Sequence, residues 1–192
     1  MLVQKISRRV GLHISKLESK GFKVDAVDDF SSIKKRVGST GRLHQTPMMD
    51  VDRLDFTQRN AFWLFLTKDG EDVAAAGAKF VDIGDEGIEA YLRRTSQAQY
   101  GFPDDPILEI ASPLKATLGR KLVYIGELEF ARSARGGAEV LEAFIGVLKG
   151  LCALQWGQFD WMYAFIPEEH LKLERFYHFS LKIPRAITWK QP

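Results

Sequence analysis

The chain has 192 residues, 45% hydrophobic and 27% charged, with 27 Lys and Arg against 25 Asp and Glu for a net charge of +2. This is the composition of a globular protein that can bury a full core, and charges mixed so evenly give no footprint for nucleic acid. The one cysteine, Cys152, excludes a disulfide framework within the chain, and no apolar run approaches the ~20 residues of a membrane span.

Residues 2–20, LVQKISRRVGLHISKLESK, read as an amphipathic helix, with Val3, Ile6, Val10, Ile14 and Leu17 at helical spacing. Lys5, Arg8, Arg9, Lys16 and Lys20 make its polar face basic, so it packs on the domain or meets an acidic partner or membrane surface. FKVDAVDDF, 22–30, alternates as a strand, and SSIKKRVGSTG, 31–41, predicts a short helix capped by Ser31 or Ser32. MDVDRLDFTQRNA, 49–61, reads as a second helical piece. Asp50, Asp52 and Asp55 do not share a helical face, so they read as caps and solvated charge rather than metal ligands. Residues 61–83 predict two strands joined by Asp69-Gly70, a pair that tolerates positive φ in a hairpin turn.

The stretch 84–121 is an insert between strands, with a helical pattern in EGIEAYLRRTSQAQYG and breakers in FPDDP and ASP. A connection of that length is either a functional loop or a plain insertion. KLVYIGELEF, 121–130, is a strand, and GAEVLEAFIGVLKGLCALQWG, 137–157, is a helix that Gly157 stops. FDWMYAFI, 159–166, has almost no polar residue on either face and reads as a central strand. PEEHLKLERFYHF is a short helix from Pro167, and SLKIPRAITW returns as one or two strands. The order implies a single α/β (α+β) domain over 1–192. Its mixed sheet has an antiparallel first part, a parallel strand–helix–strand unit later, and helices on both faces.

The joint in LEFARSARGGAEVLEAF, 128–144, carries the most chemistry. A strand runs through glycines into a helix, whose free N–H groups and dipole attract anions, above all phosphate. Gly136 and Gly137 remove bulk, and Arg132 and Arg135 can donate charge-assisted hydrogen bonds. No Gly-Lys-Ser/Thr follows, which excludes a P-loop, and G-x-G-x-x-G is absent. His13, His44, His170 and His178 lack metal-ligand spacing, and Cys152 lies on an apolar helix stripe.

This segment and the following FDWMYAFIPEEHLKLERFYHFSLKI, together roughly 122–185, resemble the GNAT superfamily of acyl-CoA-dependent N-acyltransferases. Those proteins place a strand, an Arg/Gln-x-x-Gly-x-Gly/Ala loop, a long helix, a splayed strand and a short helix with Phe-Tyr in this order. The resemblance implies a GNAT-like mixed sheet, with acetyl-CoA or a longer acyl-CoA held by Phe130, Ala131, Arg132, Arg135, Gly136, Gly137 and Ala138. It implies that Tyr177 protonates the leaving thiolate, the other reading being an aromatic core residue. The loop departs from the family pattern whether Arg132 or Arg135 takes its first position, and Glu139 stands in the first helical turn, where it would repel phosphate.

An attacking amine must lose a proton, and period two puts Glu127 and Glu129 on one strand face. Glu127 is preferred as base because it lies further from the phosphate loop, the alternative being a salt bridge for either residue. DVDRLDFTQRNAFWLFL and GELEFARS also resemble, more faintly, autoinducer synthases and N-acyl amino acid synthases, which implies acyl carrier protein as an alternative donor, met by the basic N-terminal helix. The expected function is acyl transfer to a small amine in the cytoplasm without a metal. The alternative is the same fold as a catalytically inactive ligand-binding or protein-interaction module.

Overall fold

A computed structural model describes residues 1–101, 103–135 and 137–190. Helix α1 (Leu2–Glu18) comes first, as its apolar spacing predicts, and strand β1 (Lys23–Val27) follows. Helix α2 (Phe30–Ser39) is capped not by Ser31 or Ser32 but by Asp29, whose carboxylate accepts from the Ser31 amide at 3.2 Å. Residues 49–61 form turns rather than the expected helix. Their polar side chains bond the local backbone instead: Asp50 Oδ1 accepts from the Asp52 amide at 3.0 Å, and Asn60 Oδ1 from the Thr57 amide at 2.7 Å.

The hairpin of β2 (Ala61–Lys68) and β3 (Glu71–Asp82) turns at Asp69 and Gly70, with φ of 53° and 87°. The insert folds as α3 (Ile88–Tyr100), β4 (Ile107–Ile110) and α4 (Ser112–Thr117). Then come β5 (Lys121–Phe130), α5 (Ala138–Trp156), β6 (Trp161–Tyr163), α6 (Glu174–Tyr177) and β7 (Ile187–Trp189).

The main sheet has the order β1-β2-β3-β5-β6, antiparallel except for the parallel β5–β6 pair. β6 is therefore an edge strand, which corrects the expectation of a central one. Its apolar character comes from helix and aromatic packing on its faces, not from strands on both sides. β7 does not join this sheet but pairs with β4 of the insert.

One hydrophobic core lies under α1 and α5 and includes Val10, Leu17, Val123, Ile125, Phe144 and Leu148. The other lies on the opposite sheet face under α2, α3 and α4 and includes Ile33, Trp63, Leu92, Leu114, Leu122 and Tyr124. Helices thus cover both faces. The described residues contain no helix long and apolar enough to cross a membrane.

Candidate active site

β5 organises the site. Up to Ile125 its side chains alternate between the two cores, with Leu122 and Tyr124 on the α2–α4 face and Val123 and Ile125 on the α1–α5 face. After Glu127 the parity reverses, and Leu128 and Phe130 pack on the α1–α5 face. The cause is a β-bulge: Gly77 pairs with Gly126 and Ala75 with Glu129, so β5 carries one extra residue there. Glu127 takes a φ of 59°, a strained value for a non-glycine residue. Gly126 is required beside it, since a Cβ there would stand 2.6 Å from the Tyr124 hydroxyl oxygen.

β6 leaves β5 at the same level. The two strands pair only from Leu122–Trp161 to Tyr124–Tyr163. Beyond Tyr124 the chain after Tyr163 no longer pairs with β5, which leaves a gap in the pairing on that side. At its apex the Tyr124 and Tyr163 rings lie 5.3 Å apart, and Phe165 lies 5.6 Å from Tyr163.

Past the open end of the gap lie the loop and the start of α5. The Ala131 amide donates to the Val73 carbonyl at 2.8 Å, and Arg132–Ala134 forms one 3-10 turn. Gly137 is the N-cap of α5 and makes no side-chain cap hydrogen bond, and Arg132, Gly137 and Ala138 are exposed. Gly136, expected among the cofactor-binding residues, lies outside the described residues. Arg135 is committed elsewhere: its Nε donates to the Phe130 carbonyl and its Nη2 to Glu129 Oε1, both at 2.8 Å. Glu139 does not face the loop unopposed. Lys20, just after α1, and Lys16 of α1 approach its carboxylate to 3.0 and 4.0 Å and hold its pKa below the ordinary range.

The two candidate carboxylates differ sharply. The Glu127 side chain is 0% exposed. Its Oε1 accepts from the Thr46 hydroxyl at 2.6 Å and the Thr46 amide at 3.0 Å, and Arg42 Nε lies 2.9 Å from Oε2. Burial pushes its pKa up, opposed by Arg42 and Thr46. Glu129 is partly exposed and paired with Arg135. Tyr177 is 6% exposed, with its ring 5.4 Å from Phe179, and burial pushes its phenol up to about 12. It packs in the core under α1 and α5, whereas Tyr124 packs on the opposite sheet face.

Sequence reasoning missed Arg42, Thr46, Tyr124 and Lys79. Lys79 was visible as a lone lysine in the apolar AAAGAKF. It is 6% exposed and donates to the Met48 carbonyl at 2.8 Å, and burial lowers its pKa to about 8. Arg42 and Thr46 carried no local signal, because they meet Glu127 across more than eighty residues. No three His, Cys, Asp or Glu side chains converge as a metal site among the described residues. Neither of two surface hollows, one at the end of α3 and one beside Asp82 and Asp160, is lined by Glu127 or Tyr177.

No family model matches the chain, nor does any curated protein. Solved structures do. An aminoglycoside acetyltransferase from an uncultured soil metagenomic sample, in complex with sisomicin, superposes with a TM-score of 0.50 at 8% identity, covering 86% of this chain and 92% of that one. A GCN5-related N-acetyltransferase from Ralstonia eutropha JMP134 aligns at 15% identity over 84% and 94% of the two chains, with a TM-score of 0.47. A predicted acetyltransferase from Clostridium acetobutylicum, solved with acetyl-CoA, aligns at 11% identity over 85% and 92%, with a TM-score of 0.46. At such identities the likeness speaks for the fold alone, and the fold of this chain is that of the GNAT acyltransferases.

Proposed function

We propose that residues 1–192 act as one N-acyltransferase domain that moves an acyl group from acyl-CoA to a small amine. The carrying observation is that β5 and β6 part after three residue pairs, at the level where the bulge sets Glu127 beside the gap. The unpaired edge of β5 offers backbone groups to the amides of a pantetheine arm. The α5 N-terminus, with the Gly137 and Ala138 amides and the exposed Arg132, offers donors to the pyrophosphate. Phe130 and Ala131 line the turn between them.

In the reaction the amine nitrogen attacks the thioester carbonyl, a C–N bond forms and the C–S bond breaks. Glu127 takes the proton from the amine, since a carboxyl raised by burial holds a proton better than a solvated one. Tyr177, protonated at neutral pH, delivers a proton to the thiolate. Backbone N–H groups at the bulge polarise the carbonyl.

Titration calorimetry with acetyl-CoA, a long-chain acyl-CoA and acylated acyl carrier protein identifies the donor. Thiol release with a panel of primary amines then reads turnover. Tyr177→Phe should lower kcat by about 10²-fold with donor Kd unchanged. Equal turnover in wild type and variant removes Tyr177 from that role. If acyl carrier protein is the donor, the exposed basic face of α1 meets it, and Arg8→Glu with Arg9→Glu abolishes that binding alone. Charge reversal is the better test than deletion, because Val10 and Leu17 of α1 are buried in the core that also covers α5.

One observation favours the rival reading of a ligand-binding module without catalysis. Arg135 and Glu127 are both satisfied by the protein's own groups. Donor binding without transfer to any amine would establish it.

A further inference from the structure

Glu127 is closed off by one segment. Residues 42–46 have neither helix nor strand, and among the described residues every hydrogen-bond and ion-pair partner of the Glu127 carboxylate comes from them, with the Tyr100 and Tyr124 phenols in electrostatic range. The segment has a free end and a fixed end. At the free end α2 stops at Thr40, whose hydroxyl donates to the Val37 carbonyl, and Gly41 follows at φ 94° with open space around it. At the fixed end Lys79 holds the Met48 carbonyl, and the Met49 side chain is 0% exposed against Trp63 and Gly77.

Arg42 fits the carboxylate poorly. Its Nε approaches Oε2 to 2.9 Å, yet the Nε hydrogen is aimed at the His44 carbonyl, also at 2.9 Å. Its Nη2 reaches Oε1 at 3.4 Å. Among the described residues Oε2 therefore accepts no aligned hydrogen bond, although it is fully buried. A buried carboxylate oxygen in contact with a cation but not hydrogen-bonded by it is a site that a better-placed cation would improve. A primary ammonium is such a cation, with three donors on a point charge where a guanidinium has a planar fork.

We infer that Arg42 is a built-in stand-in for the acceptor. Its guanidinium occupies the place of the substrate ammonium on Glu127, and the segment 42–46 must lift about Gly41 before an amine can bind. This rests on the proposed acyl transfer and deepens it. The acceptor is a cationic primary amine that competes with a guanidinium, and Arg42 sets the threshold for admission.

Two readouts test this on the full-length protein. Hydrogen exchange measured by mass spectrometry follows the Thr46 amide, which is bonded to Glu127. Thiol release from acetyl-CoA, with n-butylamine, spermidine and sisomicin as probes, follows transfer. Arg42→Ala should speed exchange over 42–46 at least tenfold and lower the apparent KM for the amine about fivefold, with KM for acetyl-CoA unchanged. Thr46→Val, which leaves Arg42 in place, should speed exchange as well. Unchanged exchange in both variants, or a higher amine KM in Arg42→Ala, overturns the inference. If no amine is acylated by any form while acetyl-CoA still binds, the acyl-transfer reading fails, and exchange alone decides whether the segment opens.

Discussion

Around residue 127, β5 bulges, turns its backbone to positive φ and buries a carboxylate under a segment from the other end of the chain. At residue 129 the strand is back in register with Ala75, and a second carboxylate leans into the loop and pairs with Arg135. Strand periodicity alone treats the two acids alike. The bulge separates them, because it puts one where solvent is excluded and the other where solvent and a guanidinium both stabilise its charge. Environment, not spacing, decides which acid suits the proposed role of base.

The largest effect that can break this comparison is on turnover. Glu127→Gln should lower kcat by ~10²–10⁴, the range for removing a positioned base, with the Kd for acetyl-CoA unchanged. Glu129→Gln should change kcat by less than about threefold, because its pair with Arg135 is exposed and weak. Rates measured with saturating amine decide it, and the reverse order would move the base to residue 129.

Stability should follow the same division. Glu127→Gln keeps an acceptor for Thr46 but leaves the Arg42 guanidinium without its counter-charge, at a cost of about 2–4 kcal/mol. Glu129→Gln should stay within about 0.5 kcal/mol of wild type. Urea midpoints of the two variants give both numbers.

Lys79 sharpens the picture by its pH dependence. Its folded pKa of about 8 lies below the ordinary 10.5. Between those values the unfolded chain binds more protons than the folded one, so stability rises with pH across that window and is lowest below it. The full gain is about 3 kcal/mol at 1.36 kcal/mol per unit. Lys79→Met should flatten the rise in urea midpoint between pH 7.5 and 10. A variant that keeps the wild-type slope would assign the rise to another group.

Much of the fold was legible because its signals are local. The Asp69-Gly70 turn, the apolar stripe of α5 and the Gly157 stop depend on neighbours in sequence. What escaped depends on distant partners. β4 exists because Ile107–Ile110 meets β7 some eighty residues later, and four residues between breakers give no signal of that. The edge position of β6 was hidden because aromatic packing at the gap makes a strand look as apolar as a flanking sheet does. Of the proposed site, the acids, the loop and Tyr177 could be offered as candidates, but not the bulge, whose extra residue is defined only against the register of β3. Nor could the closure of Glu127 by Arg42 and Thr46 be foreseen from an unremarkable GRLHQT.

The smallest effect concerns the phosphate end of the gap. Glu139 lies in the first turn of α5, where the helix dipole favours it and a phosphate would meet it. Lys16 of α1 and Lys20 just after it offset its charge, so the positive potential at the α5 N-terminus depends on residues from the first twenty of the chain. Glu139→Gln should tighten CoA binding roughly threefold at low salt, and the gain should vanish near 0.5 M, where screening shortens the reach of exposed charges to a few ångströms. Lys20→Ala should weaken binding in the wild-type background, where it uncovers Glu139, and more weakly in the Glu139→Gln background, where only its own distant charge is lost. Equal losses in the two backgrounds would mean that Lys20 acts on the phosphates directly, and that Glu139 is as separate from the donor site as Glu129 is from the amine.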